Sequence, residues 1–341
     1  MRGDLTLMTS AASSDPGVNP FPSMWFDAVR RAGVDIRPWS SRGLLWSRPD
    51  VVHLHWPERV FGQVGRSPSR AATMAVRLAV LLAARARGSR VVWTVHNLAP
   101  HDQRGDLVGR AGVWCFQRLV DEFWVMSNAS SDEVRLRFGP KVSTLVVKHP
   151  TYPVHGARRE PPGQRRVLSF GEIRPYRGFL ELVASFDPSA SGSTLTLVGA
   201  GRGDEHSIRL REAVDRSPST SWLDGRLDDE ALHEEIRRCD VVVLNYQRVT
   251  NSGAALLALS LDRPVILPET PVFRELRDEV GGDWVFLFQD DPMPAIDACL
   301  DRVRRDLPRL ERRGWDDLGS AVRQAGLRLR AQRGRRLSAR L

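Results

Sequence analysis

Short apolar, β-branched runs alternate with longer amphipathic stretches along the chain, the pattern of parallel strands buried by crossover helices. In the first half, residues 51–56 (Val-Val-His-Leu-His-Trp) and 91–95 (Val-Val-Trp-Thr-Val) predict strands, as do 123–126 and 144–147. Residues 70–87, dominated by Ala, Leu, Met and Arg, predict a helix. The stretch from Ser127 to Glu133 has the cap and the early acids of another. The alternation pauses between His149 and Gln164, which are rich in Pro and Gly, and resumes at 167–171. Beyond that point helices are expected near 178–186, 205–214, 229–239 and 253–261, and strands at 194–198, 240–246 and 264–267. The expected fold is α/β, with two doubly wound, Rossmann-like domains: one over 1–150, a linker over 151–165, and a second over 166–310. Such domains face each other across a cleft at the carboxyl ends of their strands, where open α/β sheets bind ligands.

A length of 341 residues suits two packed cores. Fifty Lys and Arg against 41 Asp and Glu give a net charge of +9. The whole surplus lies from Arg302 onward, where 13 Arg face four acids; the body of the protein is neutral. A neutral body and a tail without interleaved aromatics argue against a nucleic-acid binder. Uncharged stretches such as 5–14, 16–26 and 249–261 fall short of the ~18 apolar residues of a membrane span. No basic segment followed by an apolar run marks a secretory signal. Cys115, Cys239 and Cys299 are too far apart for a metal motif and odd in number, which fits a reducing cytoplasm.

Candidate chemistry concentrates in the second half. The buried run 241–244 leads through Tyr246 into Thr250-Asn251-Ser252-Gly253 and an apolar helix, with Ser252 as the expected N-cap. Small residues there leave backbone N–H groups and the helix dipole open to an anion, a phosphate site that needs no Lys. Gly171 to Gly178 is a strand exit bearing Arg174 and Arg177, whose forked donors match phosphate oxygens. Gly199 and Gly201 close another strand where backbone can approach a ligand. Taken singly, each of these has an ordinary structural explanation: a capped helix, a solvated Arg, a glycine turn. Trp25, Trp39, Trp46, Trp56 and Trp93 gather in the first half, suited either to stacking on a ligand or to the core.

In order and spacing, the segments 171–178, 197–201, 251–253 and 263–266 resemble the donor-binding domain of GT-B glycosyltransferases. Residues 50–58 and 93–98 resemble the acceptor domain, particularly that of bacterial enzymes building exopolysaccharides and other glycoconjugates. The resemblance implies a glycosyltransferase that takes a nucleoside diphosphate sugar as co-substrate and a saccharide, glycolipid or small-molecule hydroxyl as acceptor. It places Arg177 on the donor diphosphate with Arg174 assisting. The donor-binding set becomes Gly171, Arg174, Arg177, Gly199, Gly201, Tyr246, Asn251, Ser252 and Gly253. His55, Trp56 and Asn97 fall on the acceptor side, and His96 lines the cleft.

Many retaining members of that family carry two Glu residues eight positions apart around the donor-site helix. The matching stretch here, 252–259, has no carboxylate, which points to inversion. Inversion needs a general base for the acceptor hydroxyl. Glu58 and Asp102 are the candidates, Glu58 preferred, while His96 serves either as a base or as a hydrogen-bonding partner of the sugar. His53, on the strand, is expected to be structural. No metal site is expected: His53-x-His55 lacks a third ligand. A nucleotide-sugar epimerase on the same plan is the alternative enzyme. Residues 311–341 are expected to form a helix returning to the first domain, followed from Arg330 by an Arg-rich surface extension. That extension, together with the 70–87 helix, suggests peripheral contact with an anionic membrane at its inner face.

Overall fold

In the computed structural model the described residues are 4–10, 20–62, 68–96, 107–154, 165–189 and 192–338. The chain divides into two compact units: residues 1–150 with 313–341, and residues 151–312.

The first unit is built on a parallel six-stranded sheet. Its strands are β1 (Thr6–Thr9), β2 (Asp35–Pro38), β3 (Val51–Leu54), β4 (Arg90–Thr94), β5 (Glu122–Val125) and β6 (Thr144–Val146), in the order β2-β1-β3-β4-β5-β6. Every residue of β3, β4 and β5 is buried, as expected of parallel strands covered on both faces. One face packs beneath α1 (Phe21–Arg31) through Phe21, Trp25, Ala28 and Val29. The other is covered by α2 (Ser41–Ser47), α3 (Pro68–Ala86) and α4 (Leu107–Gln117) through Leu44, Val80, Leu81, Ala84 and Phe116. Helix α5 (Asn128–Phe138) starts at Ser127, whose Oγ accepts from Ser130 N.

The second unit has a parallel sheet in the order β12-β11-β10-β7-β8-β9. Its strands are β7 (Arg166–Phe170), β8 (Thr194–Gly199), β9 (Thr220–Asp224), β10 (Val241–Val243), β11 (Val265–Pro268) and β12 (Val285–Phe288). The helices are α6 (Phe179–Ser185), α7 (Glu205–Asp215), α8 (Asp229–Arg238), α9 (Gly253–Ser260), α10 (Pro271–Val280) and α11 (Met293–Leu300). Asp204, Asp228, Ser252 and Thr270 each cap the helix that follows. Residues 151–154, expected as linker, pack with this unit: Tyr152 and Val154 rest on its core, and Tyr152 N donates to Ser260 Oγ.

The last helix, α12 (Trp315–Ser338), belongs to the first unit and lies against α1, burying Leu318, Val322, Ala325 and Leu329. A Cβ at Gly319 would overlap the Ala28 carbonyl, so glycine is what allows the two helices to approach. Arg328 on α12 places Nη2 at 2.7 Å from both oxygens of Glu122, a fully buried carboxylate that also accepts from Trp124 Nε1 and Ser143 Oγ. Beyond Arg330, where an Arg-rich surface extension was expected, the helix runs on to Ser338. No helix among the described residues is long and apolar enough to cross a membrane.

Candidate active site

In the second sheet the chain leaves β7 toward β8 on one side and comes back to β10 on the other, so the ends of β7 and β10 border the topological switch point where such sheets bind ligands. Most of the expected donor residues, Gly201 excepted, lie around these two ends. After β7 the chain turns at Gly171 (φ +131°), passes Glu172 and Arg174, and makes a 3-10 turn over Pro175–Arg177 that ends in left-handed Gly178. The Arg177 guanidinium folds back over Gly171, where a Cβ would overlap it, and Nη1 lies 3.4 Å from the Phe170 carbonyl. Its Cζ sits 5.6 Å from the Tyr246 ring centre and 5.8 Å from that of Tyr176. Arg177 Nε is buried and has no hydrogen-bond partner among the described residues. Arg174 is already engaged, its Nη2 3.0 Å from Glu172 Oε1, which also accepts from Arg202.

Strand β10 ends at Val243, three residues short of the expected Tyr246, because the backbone bends there, with Tyr246 N donating to Leu244 O. The bend lets Asn245 Nδ2 donate to Gly178 O at 2.9 Å, tying the two strand exits together. It also brings Tyr246 OH within 2.9 Å of Ser252 Oγ. Ser252 Oγ accepts from Ala255 N at 3.0 Å and so caps α9, leaving the first N–H groups of that helix without intrahelical partners. Asn251 Nδ2 is buried with no partner among the described residues, a costly state that a ligand oxygen would relieve. Gly199 allows β8 to pass Gly171, whose carbonyl a Cβ there would strike. Gly201 stands apart from the Arg177 group: its neighbours are Trp222 and Asp224 on β9, and its N donates to Asp224 Oδ1.

In the first sheet the switch point lies between β1 and β3. Just past their ends Ser10 Oγ accepts from His55 N, and His55 Nδ1 lies 2.8 Å from His96 Nε2, beyond β4. The His96 ring stacks on Trp56 at 4.5 Å with planes 13° apart, and Phe21 packs edge-on against both His55 and His96. His53 is wholly buried and bonded on both ring nitrogens, to Thr9 and Thr94, as a structural histidine should be. Burial lowers the pKa of all four histidines in this group: His53 to about 3, His149 to about 4, His55 and His96 well below the ordinary value. The imidazoles are neutral. Glu58 opens a π-helical turn over Glu58–Gly62; burial raises its pKa, although its own backbone N–H and the Arg59 charge pull the other way. Asn97 and Asp102 lie outside the described residues. Trp25 and Trp93 are core, whereas Trp46 is 80% exposed.

Asn245 and Glu172 have clear structural work here that the sequence reading did not assign. Asn245 had one available signal: it is the first polar residue after the apolar run of β10. Glu172 had none. Among the described residues no three His, Cys, Asp or Glu side chains converge as metal ligands.

No family model matches the chain. It is 34% identical over 337 residues to a GDP-mannose:glycolipid 4-beta-D-mannosyltransferase of Xanthomonas campestris pv. campestris, an alignment covering 92% of this chain and 90% of that protein. Among solved structures, sucrose-phosphate synthase from Thermosynechococcus elongatus superposes with a TM-score of 0.62 at 15% identity, over 99% of this chain and 100% of that one. Anabaena HepE in complex with UDP gives 0.60 at 15% identity, over 99% and 100%. These two show the shared fold, and neither the epimerase nor the nucleic-acid reading is favoured by any of the comparisons. With two doubly wound units and a near full-length relationship to a mannosyltransferase, the chain belongs to the GT-B glycosyltransferases and is an enzyme of sugar transfer.

Proposed function

We propose that the donor is GDP-mannose and that mannose passes to a hydroxyl of a glycolipid. The observation carrying this reading is the 34% identity, spread over 92% of the chain, to an enzyme named for that donor and acceptor class. In this reading the diphosphate rests on Arg177 and on the open N–H groups of α9, with the Asn251 amide beside them. Arg177 and the helix dipole supply the positive charge that a departing diphosphate needs, so transfer proceeds without a metal.

The acceptor oxygen attacks the anomeric carbon as the bond from that carbon to the diphosphate breaks. The electron pair leaves with GDP, and the hydroxyl proton goes to a base. Glu58 suits that role, since burial raises its basicity. His96 suits it less. Its Nε2 is engaged by His55 Nδ1, and the pair shares one proton. Because His55 Nε2 has no partner among the described residues, the less costly arrangement leaves that atom a bare acceptor and puts the proton on His55 Nδ1. His96 then accepts at Nε2 and carries its own proton at Nδ1, where it acts as a hydrogen-bond donor to a sugar. An α-linked nucleotide sugar giving a β-linked product is the outcome of one such displacement, with inversion.

The test is to incubate the purified chain with GDP-mannose, UDP-glucose and other nucleotide sugars, with and without a glycolipid acceptor, in the presence of chelator. GDP release that requires both GDP-mannose and the acceptor, with a β-linked product, is expected. Turnover with uridine nucleotides alone, or loss of activity restored by a divalent ion, would overturn the donor or the metal-free assignment respectively.

A further inference from the structure

The helix layer of the first unit formed by α2, α3 and α4 is unlike the rest of the surface. Those three helices contain no Asp or Glu; every other helix except the largely buried α9 contains at least one. Helix α3 packs against both α2 and α4, and all three bury one side against the same sheet face. Their other side carries large apolar groups into solvent: Leu45 (45% exposed) and Trp46 (80%) on α2, Val76 (56%) and Leu82 (50%) on α3, and Trp114 (54%) on α4. Along α3 the exposed positions are almost all apolar, with Ala72, Ala75, Val76, Ala79, Leu82 and Ala86 recurring at helical spacing. Exposed Arg42 and Arg48 flank Trp46, while exposed Arg110 and Arg118 flank Trp114, with Arg118 lying over the indole ring.

Apolar groups this exposed, on three helices that pack side by side, are unusual on a water-facing surface. Tryptophans framed by arginines, with no acid on the same helices, match the boundary between headgroups and acyl chains of an anionic bilayer. We propose that the α2–α3–α4 layer is a membrane-docking surface: Trp46, Leu82 and Trp114 enter the interface and Arg42, Arg48, Arg110 and Arg118 hold anionic headgroups. This deepens the glycolipid-acceptor reading, because it sets the acceptor-side unit on the surface from which a lipid-anchored hydroxyl would be taken. It keeps the 70–87 helix that the sequence suggested for this contact, as α3, and sets it beside the aromatic groups of α2 and α4 in place of the Arg-rich tail.

The full chain should be tested by co-sedimentation with vesicles of phosphatidylcholine alone and of phosphatidylcholine with phosphatidylglycerol in equal parts, without donor or acceptor, so the outcome is independent of the sugar chemistry. Binding to the mixed vesicles only is expected. Trp46→Ser with Trp114→Ser should lower the partition coefficient by about ten-fold or more. Arg42→Gln and Arg110→Gln should each lower it by about five-fold. Replacing Arg333, Arg335, Arg336 and Arg340 by Gln should leave the aromatic contribution intact. Trp46, Trp114, Arg42 and Arg110 are exposed on folded helices, and unchanged turnover on a water-soluble acceptor glycoside serves as the folding control. Equal binding by the tryptophan variant and the wild type, or loss of binding with the tail variant alone, overturns the proposal. So does a wild-type dimer that the tryptophan substitutions dissociate, which would make the patch a self-association surface.

Discussion

Lowering the pH from about 7.5 to about 5 should destabilise the first unit strongly, because that unit buries neutral imidazoles. His53 is held at about 3 and His149 at about 4, both by burial, whereas an unfolded histidine titrates near 6.5. Between the unfolded value and the folded one, the unfolded chain binds a proton that the native chain refuses, so stability is lost as the pH falls through that window. At about pH 5 the loss is about 2 kcal/mol for each of the two residues, about 4 kcal/mol together. His55 and His96, also lowered by burial, act in the same direction. Domains are typically stable by only ~5–15 kcal/mol, so a loss of this size moves a urea midpoint well outside error. Eight of the ten tryptophans lie in the first unit, so intrinsic fluorescence during urea titration reports chiefly on it. His53→Asn should shrink the difference between the two pH values by about 2 kcal/mol, whatever it does to absolute stability. An unchanged midpoint between the two pH values, or an equal pH difference in the variant, would refute the picture of a neutral buried histidine cluster.

Glu58→Gln should reduce kcat by roughly 10²–10⁴-fold with little change in donor affinity. In the wild type, activity should fall with decreasing pH along a limb above the ordinary carboxylate value of 4.5, since burial raises this pKa and the base acts deprotonated; a fully active variant removes Glu58 from the reaction. Gly171→Ala places a Cβ at φ +131° and into the Arg177 guanidinium, so the donor KM should rise by about ten-fold, and an unchanged KM would contradict that packing. Arg328→Met leaves the buried Glu122 carboxylate without its cation and should cost about 2 kcal/mol in urea titration. Adding Glu122→Gln should recover part of that loss; no recovery would mean that Arg328 acts through packing.

The doubly wound fold was legible because the central strands are continuous buried runs such as Val51-Val52 and Val241-Val242-Val243, and because helix starts such as Ser127 and Ser252 advertise their caps. Strands β1, β2, β9 and β12 went unseen, the first of them interior to its sheet but only four residues long and the others at a sheet edge. At a sheet edge, Asp35-Ile36-Arg37-Pro38 needs neither apolar continuity nor a full set of N–H donors, so it has no distinctive pattern. In the donor site the residues at strand ends could be read, since Gly171, Arg177 and Ser252 all follow buried runs. Which of the two arginines is taken up in an ion pair could not, because that depends on Glu172 turning to Arg174. The histidine cluster was hidden for a different reason. His53, His55, His96 and His149 come from segments far apart in the chain, and only the folding of β3 and β4 beneath α1 joins them. Trp46 shows the limit of composition alone: grouped with core tryptophans in the sequence, it stands out into solvent.

The central claim, that this enzyme holds the diphosphate of its donor on Arg177, is tested most directly by calorimetric titration of GDP and GMP into the wild type and into Arg177→Gln. The wild type should bind GDP more tightly than GMP, and the substitution should weaken GDP binding by roughly ten- to hundred-fold while leaving GMP nearly unchanged. GDP affinity that survives the loss of Arg177 would contradict it.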